Sequence, residues 1–334
     1  MAETQNKNPD PMPTDAPVID YLRISITDRC NLRCVYCMPA DGVKSLPHDE
    51  ILSYEELELF TRAANQAGIK RVRVTGGEPL VRKGAVEFVR KLSRIDPELK
   101  VSLTTNGVLL DRYAADLKEA GLARANVSID TLDPETYRNI TRVGSVDDAM
   151  RGLHAAIDAG LEPVKVNVVV LRGLNDDPIP FGRLSLELPV HVRFIEYMPY
   201  FDDPGKWYVS TDEIKERLAG LGKLQEMESP EGWGPASYYR LPGAAGTVGF
   251  ISPVSCHFCA SCNRLRITSD GKMRTCLFDN NGYSVKRDIR EGASPERLRD
   301  IIERQLARKR AEGDHKPAAG SRARAGDHMS RIGG

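Results

Sequence analysis

The chain has 334 residues, enough for one large α/β domain with an appendage or for two domains, and its 47 lysines and arginines balance 47 aspartates and glutamates. That balance removes any global electrostatic reason to expect nucleic acid or a membrane surface as partner, so a cationic site has to be local. Apolar runs such as residues 166–171 are far too short to span a bilayer, the amino terminus lacks a signal-peptide core, and the cysteines group for metal rather than disulfides; the expectation is a soluble, cytoplasmic protein in a reducing compartment.

Residues 1–17 are polar and proline-rich and read as a disordered lead-in. From Tyr21 onward, β-branched runs near 21–27, 70–75, 100–106, 124–130, 163–171 and 191–198 alternate with amphipathic helical stretches. This βα repeat predicts a parallel sheet with right-handed crossovers over residues 18–230. Ser53 and Glu56 form a capping box for a helix running to Gly68, and Asp133 with Pro134 caps another.

The strands are two-faced. Leu22, Ile24 and Ile26 alternate with Arg23, Ser25 and Thr27, and Arg71, Arg73 and Thr75 alternate with Val72 and Val74. Ser102, Thr104 and Asn106 share one face, as do Asn126, Ser128 and Asp130, and likewise Lys165 and Asn167. Parallel strands covered on both sides read as continuous apolar runs, so this polar face meets water or a polar ligand: it lines a hydrated lumen if the strands curl into a partial barrel, the alternative being a flat sheet with one solvent-exposed face. The fold class expected is α/β: an incomplete βα barrel of TIM type with about six parallel strands and a carboxy-terminal extension. Residues 191–198 alternate poorly and their faces are not assigned by pattern.

Directly after the first strand stand Cys30, Cys34 and Cys37, spaced C-x3-C-x2-C. Three thiolates leave one iron of a 4Fe-4S cube open, and an open coordination position is where a metal does chemistry. Zinc is the alternative, but no fourth ligand lies nearby. After the second strand comes Thr75-Gly76-Gly77-Glu78-Pro79, whose glycines let the backbone approach a ligand closely. The triplet, with Tyr36 before its last cysteine, resembles the radical S-adenosylmethionine enzymes. That resemblance implies that the open iron chelates S-adenosylmethionine and that Gly77 contacts it.

Beyond residue 230 the alternation gives way to glycine, proline and hairpin signals. Residues 231–313 carry Cys256, His257, Cys259, Cys262 and, after a hairpin at Asp270-Gly271, Cys276. A four-thiolate zinc ribbon of the four cysteines and a second incomplete triplet of Cys259, Cys262 and Cys276 are both open readings. Residues 314–334 form a flexible tail ending in Gly333-Gly334.

Phe258 to Arg266, Ser269 to Phe278 and the terminal glycines closely resemble the GTP 3',8-cyclase family of molybdenum cofactor biosynthesis. The resemblance implies two 4Fe-4S clusters, on Cys30, Cys34 and Cys37 and on Cys259, Cys262 and Cys276, the second leaving an iron for the guanine of GTP. It implies S-adenosylmethionine contacts at Tyr36, Gly77, Ser128 and Met198. GTP contacts follow at Arg23, Arg73, Thr104, Lys165, Arg193, Arg264, Leu265 and Arg266, with Arg23, Arg264, Arg266, Gly333 and Gly334 in catalytic roles. A triphosphate needs paired cations, with arginine favoured for its planar fork.

The implied lyase reaction starts with reductive cleavage of S-adenosylmethionine; the deoxyadenosyl radical takes the C3' hydrogen of GTP, and C3' closes on guanine C8. A flavodoxin- or ferredoxin-type reductant, a homodimer and a hand-off to cyclic pyranopterin monophosphate synthase are implied likewise. Two rivals stand beside it: a peptide-modifying radical enzyme, which would carry a longer cysteine array and need no cationic lumen, and an iron-sulfur electron carrier, which would have no use for a βα barrel.

Overall fold

A computed structural model describes residues 18–198, 206–230, 234–256, 258, 259, 261–279, 282–312 and 328–333. The lead-in 1–17, His257, Gly334 and residues 314–327 of the tail lie outside them. The strands are β1 Tyr21–Ser25, β2 Arg71–Thr75, β3 Lys100–Thr105, β4 Arg124–Ser128, β5 Lys165–Val170, β6 His191–Glu196, β7 Gln225–Met227, β8 Ser237–Arg240, β9 Thr247–Ile251, β10 Arg264–Ile267, β11 Lys272–Arg274 and β12 Tyr283–Ser284. The helices are α1 Tyr54–Gln66, α2 Ala85–Ser93, α3 Leu110–Glu119, α4 Pro134–Thr141, α5 Val146–Asp158, α6 Ile179–Glu187, α7 Thr211–Leu218, α8 Lys286–Arg290, α9 Pro295–Glu312 and α10 Met329–Ile332.

All twelve strands form one sheet in the order β12-β11-β10-β1-β2-β3-β4-β5-β6-β9-β8-β7. The run from β10 to β9 is parallel throughout, and an antiparallel pair is added at each end. The six expected parallel strands are therefore present, but the parallel run is eight long and the sheet is not a closed barrel. Strands β9 and β10 escape sequence reading because their partners are distant: β9 pairs with β6, and β10 with β1, some 240 residues earlier in the chain.

The outward faces are the core. Leu22, Ile24, Val72, Val74, Val101, Leu103, Val127, Val166, Val168, Val192 and Phe194 are buried in one apolar cluster with the helices. Burying each such side chain contributes about 1.5–3 kcal/mol. The expected caps form: Glu56 N–H donates to Ser53 Oγ at 3.1 Å, Ser53 N–H donates to Glu56 Oε2 at 2.7 Å, and Thr136 N–H donates to Asp133 Oδ1 at 2.7 Å.

In β6, Val192 and Phe194 face the core, while Arg193 and Ile195 face inward. The 18-residue helix α9 lies in the region where alternation seemed to end; Leu298, Ile301, Ile302 and Leu306 bury one stripe of it, and it rests on α1. Among the described residues no helix is long and apolar enough to cross a membrane.

Candidate active site

The inner face surrounds a cavity of about 370 Å³. All six cysteines of the two triplets line it, and Cys256 does not. Strand register places the triplets. Tyr21 pairs with Arg264 in parallel, so Cys262 sits at the amino end of β1 and β10, whereas Cys30 follows the carboxyl end of β1. Strand β11 is antiparallel, Arg266 facing Arg274, which returns Cys276 to the same end as Cys262. The triplets thus lie at opposite ends of a five-residue strand, roughly 15 Å of chain apart.

The first triplet rides on a loop held from two sides. Arg33 N–H donates to Thr141 O and Val35 N–H to Ile140 O, both at 2.9 Å, docking the loop on α4. Arg142 then donates from Nη1 to Arg33 O and to Met38 O, each at 2.9 Å, although its own φ of 62° is the left-handed region that a non-glycine residue adopts only under strain. On the other side, Gly77 N–H donates to Thr27 O and Glu78 N–H to Arg29 O, both at 2.8 Å. A methyl group at Gly77 would fall 2.3 Å from the Arg29 carbonyl oxygen, so glycine is needed there to admit the cysteine loop.

Burial pushes the Cys30 thiol up to about 11, that of Cys37 up to about 12, and that of Cys34 well above the usual range. Yet N–H groups are already aimed at the sulfurs: Leu32 N–H at 3.4 Å and Asn106 Nδ2 at 3.9 Å from Cys30, and the Ser330 backbone at Cys37. This donor set fits thiolates whose charge is met by bound metal. Among the described residues no three His, Cys, Asp or Glu side chains converge where a single ion could be held. A cluster gives each thiolate its own iron, and three thiols facing one cavity suit that arrangement.

The cavity is also lined by Tyr36, Gly77, Ser128, Asp130 and Met198, and Met198 packs with Leu277 and Ile332. The Tyr36 hydroxyl donates to Asp130 Oδ2 at 2.7 Å, and Val169 N–H donates to its Oδ1 at 2.9 Å. Burial nonetheless raises the Asp130 carboxyl to about 6.

Between the triplets the wall is cationic. Arg23, Arg73, Arg193, Arg264 and Arg266 all line the cavity, and Arg266, Arg23 and Arg73 stand side by side in register on β10, β1 and β2. Like charges in adjacent register repel. Burial, then Arg266, lowers the Arg23 guanidinium well below its ordinary value; burial, then Arg264, lowers Arg266 to about 10. Among the described residues Arg73, Arg193, Arg264 and Arg266 have no acidic partner within salt-bridge distance. The buried Nε atoms of Arg73 and Arg193 make no hydrogen bond among the described residues. Guanidinium groups so placed can pair with a polyanion.

Thr104 lines the cavity and accepts from Arg73 Nη1 at 3.4 Å. Lys165 does not line it; its Nζ lies 3.5 Å from the Tyr238 hydroxyl and 5.6 Å over that ring. The Leu265 side chain faces the apolar core, away from the lumen. Gly333 is buried against Ser25 and Thr75. Sequence reasoning missed Asn106, Asp130, Arg142 and Lys309 as site residues. The first two carried a signal, as polar residues continuing inward faces of β3 and β4. The other two lie on helix ends far from either cysteine motif.

Residues 24–180 match the radical SAM superfamily model, and residues 190–315 match the model of the molybdenum cofactor synthesis C domain. A GTP 3',8-cyclase of Thermodesulfovibrio yellowstonii is 51% identical over 289 residues, 85% of this chain and 89% of that protein. Another, of Pelotomaculum thermopropionicum, is 50% identical over 322 residues, 95% of this chain and 98% of the relative. Among solved structures, Streptococcus suis SuiB matches with a TM-score of 0.57 at 17% identity, covering 81% of this chain and 63% of that one, a likeness of fold alone.

Proposed function

Since the chain belongs to the GTP 3',8-cyclase family of radical S-adenosylmethionine enzymes, we propose that its cavity holds S-adenosylmethionine at the Cys30, Cys34 and Cys37 end and GTP along the arginine wall. The enzyme converts GTP to (8S)-3',8-cyclo-7,8-dihydroguanosine 5'-triphosphate, a radical lyase reaction in molybdenum cofactor biosynthesis. The observation that carries the site assignment is that both thiol triplets face one cavity from opposite ends, with the cationic row between them.

Cys30, Cys34 and Cys37 would hold the family's 4Fe-4S cluster, and we assign a second cluster to Cys259, Cys262 and Cys276. When bound, the first cluster supplies the electron that cleaves S-adenosylmethionine to the hydrogen-abstracting radical. Every other task falls to the protein. Tyr36, Gly77, Ser128 and Met198 shape the S-adenosylmethionine end. Arg23, Arg73 and Arg193 meet the triphosphate, replacing lost hydration with fixed guanidinium forks. Arg264 and Arg266 stand nearest the second triplet and fix the nucleoside end, with the Leu265 backbone holding their register. Lys165, set at the Tyr238 hydroxyl, adds long-range positive potential. Gly333 closes the lumen beside Arg266, and Gly334, outside the described residues, is assigned a catalytic role with it. Holding the ribose and base against the reaction centre is worth more here than acid or base catalysis, and among the described residues no histidine lines the cavity.

The sheet suits an incomplete barrel. A flavodoxin- or ferredoxin-type reductant, a homodimer, a cytoplasmic setting and hand-off to cyclic pyranopterin monophosphate synthase accompany the family and are proposed with it. The test is anaerobic incubation of reconstituted protein with GTP, S-adenosylmethionine and a reductant. GTP-dependent 5'-deoxyadenosine and a cyclised nucleotide are expected; deoxyadenosine formed only with a peptide would move the assignment to a peptide-modifying enzyme.

A further inference from the structure

The three thiols of the second triplet come from two separate stretches of chain. Cys259 and Cys262 precede β10, and Cys276 follows β11. A cluster can form only if these arms are held at a fixed separation, and their own connection is a hairpin whose turn lies at the far end of the strands.

One side chain touches both arms. Lys309, on the last turns of α9, donates from Nζ to the Cys262 sulfur at 3.4 Å and to the carbonyl oxygen of Thr275, the residue before Cys276, at 2.6 Å. The helix that delivers it is fixed independently, through Leu298, Ile301, Ile302 and Leu306 in the main core. The second arm is braced as well: Asp279 Oδ2 accepts from the Thr275 N–H and hydroxyl, both at 3.1 Å. An ammonium group in this position does two things. It ties the Cys262 loop to the β11 end, and it places a positive charge against a thiolate that would carry iron.

We propose that Lys309 is a positioning residue of the second cluster: it holds the two ligand arms together and stabilises the cluster in its reduced, more negative form. The inference rests on the assignment of a cluster to Cys259, Cys262 and Cys276, and it adds a residue outside the cysteine motif to that site. Outer-sphere partners of metal ligands are commonly worth about 10–100-fold in metal retention. A positive charge beside a ligating sulfur favours the added electron.

The test uses anaerobically purified full-length holoprotein, wild type against Lys309→Met and Lys309→Arg. Two quantities are read: loss of iron to an added chelator, and the midpoint of each cluster in a redox titration followed by electron paramagnetic resonance. In Lys309→Met the second cluster is expected to lose iron about tenfold faster and to become harder to reduce. The amino-terminal cluster keeps its signal, which certifies the fold. Lys309→Arg restores the charge and most of both properties. Two clusters in the wild type, with retention and midpoint unchanged in Lys309→Met, would overturn this inference alone. A wild type holding only one cluster would overturn the two-cluster reading and this inference with it.

Discussion

Arg266 donates a hydrogen bond from Nη1 to the carbonyl oxygen of Gly333 at 3.0 Å, joining the middle of β10 to the last turn of the chain inside the lumen. Gly333 has φ +75°, and a Cβ there would fall 2.5 Å from Thr75 Cγ2. Alanine would bear about 1–2 kcal/mol of left-handed strain as well as that overlap, and would shift the segment. Gly333→Ala should therefore retain its iron and melt only slightly lower, while cyclised product falls by about a hundredfold, as for a misplacement of about 1 Å. Unaltered product formation would place the tail outside the chemistry.

The arginine row predicts a trade between stability and binding. Arg73 stands beside Arg23 without an acidic partner among the described residues. Arg73→Met should raise the melting temperature of the ligand-free protein, since removing a repelling neighbour is worth about 0.2–1 kcal/mol. The same change should weaken GTP binding about ten- to a hundredfold, through lost charged hydrogen bonds of about 1.5–3 kcal/mol. Calorimetric titration with GTP and a thermal melt together decide it; a destabilised variant that binds GTP normally would count against the wall as a phosphate site.

Arg142 offers a separate test of the first loop. Arg142→Ala keeps the strained backbone and removes both bonds to Arg33 O and Met38 O, while Arg142→Gly relieves the strain and removes the same bonds. Each bond is worth about 1 kcal/mol. Both variants should lose the amino-terminal cluster readily under chelator and keep the other, with glycine melting higher than alanine. Equal iron retention in wild type and variants would show that α4 alone suffices to hold the loop.

Cys256 is exposed and off the cavity wall. Cys256→Ser should leave activity and an iron content of about eight per chain intact, whereas Cys259→Ser should reduce it to about four. Loss of iron in the former would reinstate a four-thiolate centre.

His191 lies in register with Lys165, its Nδ1 2.8 Å from Thr247 Oγ1. Burial, then the charges of Lys165, Arg193 and Arg240, lower it from 6.5 to about 4. The folded state thus binds this proton more weakly than the unfolded chain, so unfolding takes up a proton between about pH 4 and 6.5. The associated stability is complete above pH 6.5 and drains as pH falls through that window. The melting temperature of His191→Gln should fall less than that of wild type between pH 7 and 5. Parallel declines would assign the acid sensitivity to other groups.

Much of this was legible in the residues. Period-two alternation placed the first five strands and their inward faces, because polar side chains on a lumen leave the same imprint as those on a solvent face. The pattern failed at β6 for a local reason. Ile195 turns inward, while Glu196 turns outward and is buried, its carboxylate accepting from Thr211 N–H at 3.2 Å, Val254 N–H at 3.0 Å and Ser255 N–H at 2.9 Å. Apolar in and polar out inverts the usual signal. Residues such as Arg142 and Lys309 act through contacts 34 or more residues away, for which local periodicity contains nothing.

The pairing of β10 with β1 also bears on how the molecule is made. The open ladder edge of β1 emerges from the ribosome long before its partner, some 240 residues further along the chain. Until then it is a template for stray strands, and closing so long a loop is slow. A chain cut short before residue 264 would expose that edge permanently, so shortened products should precipitate rather than accumulate as half-enzymes.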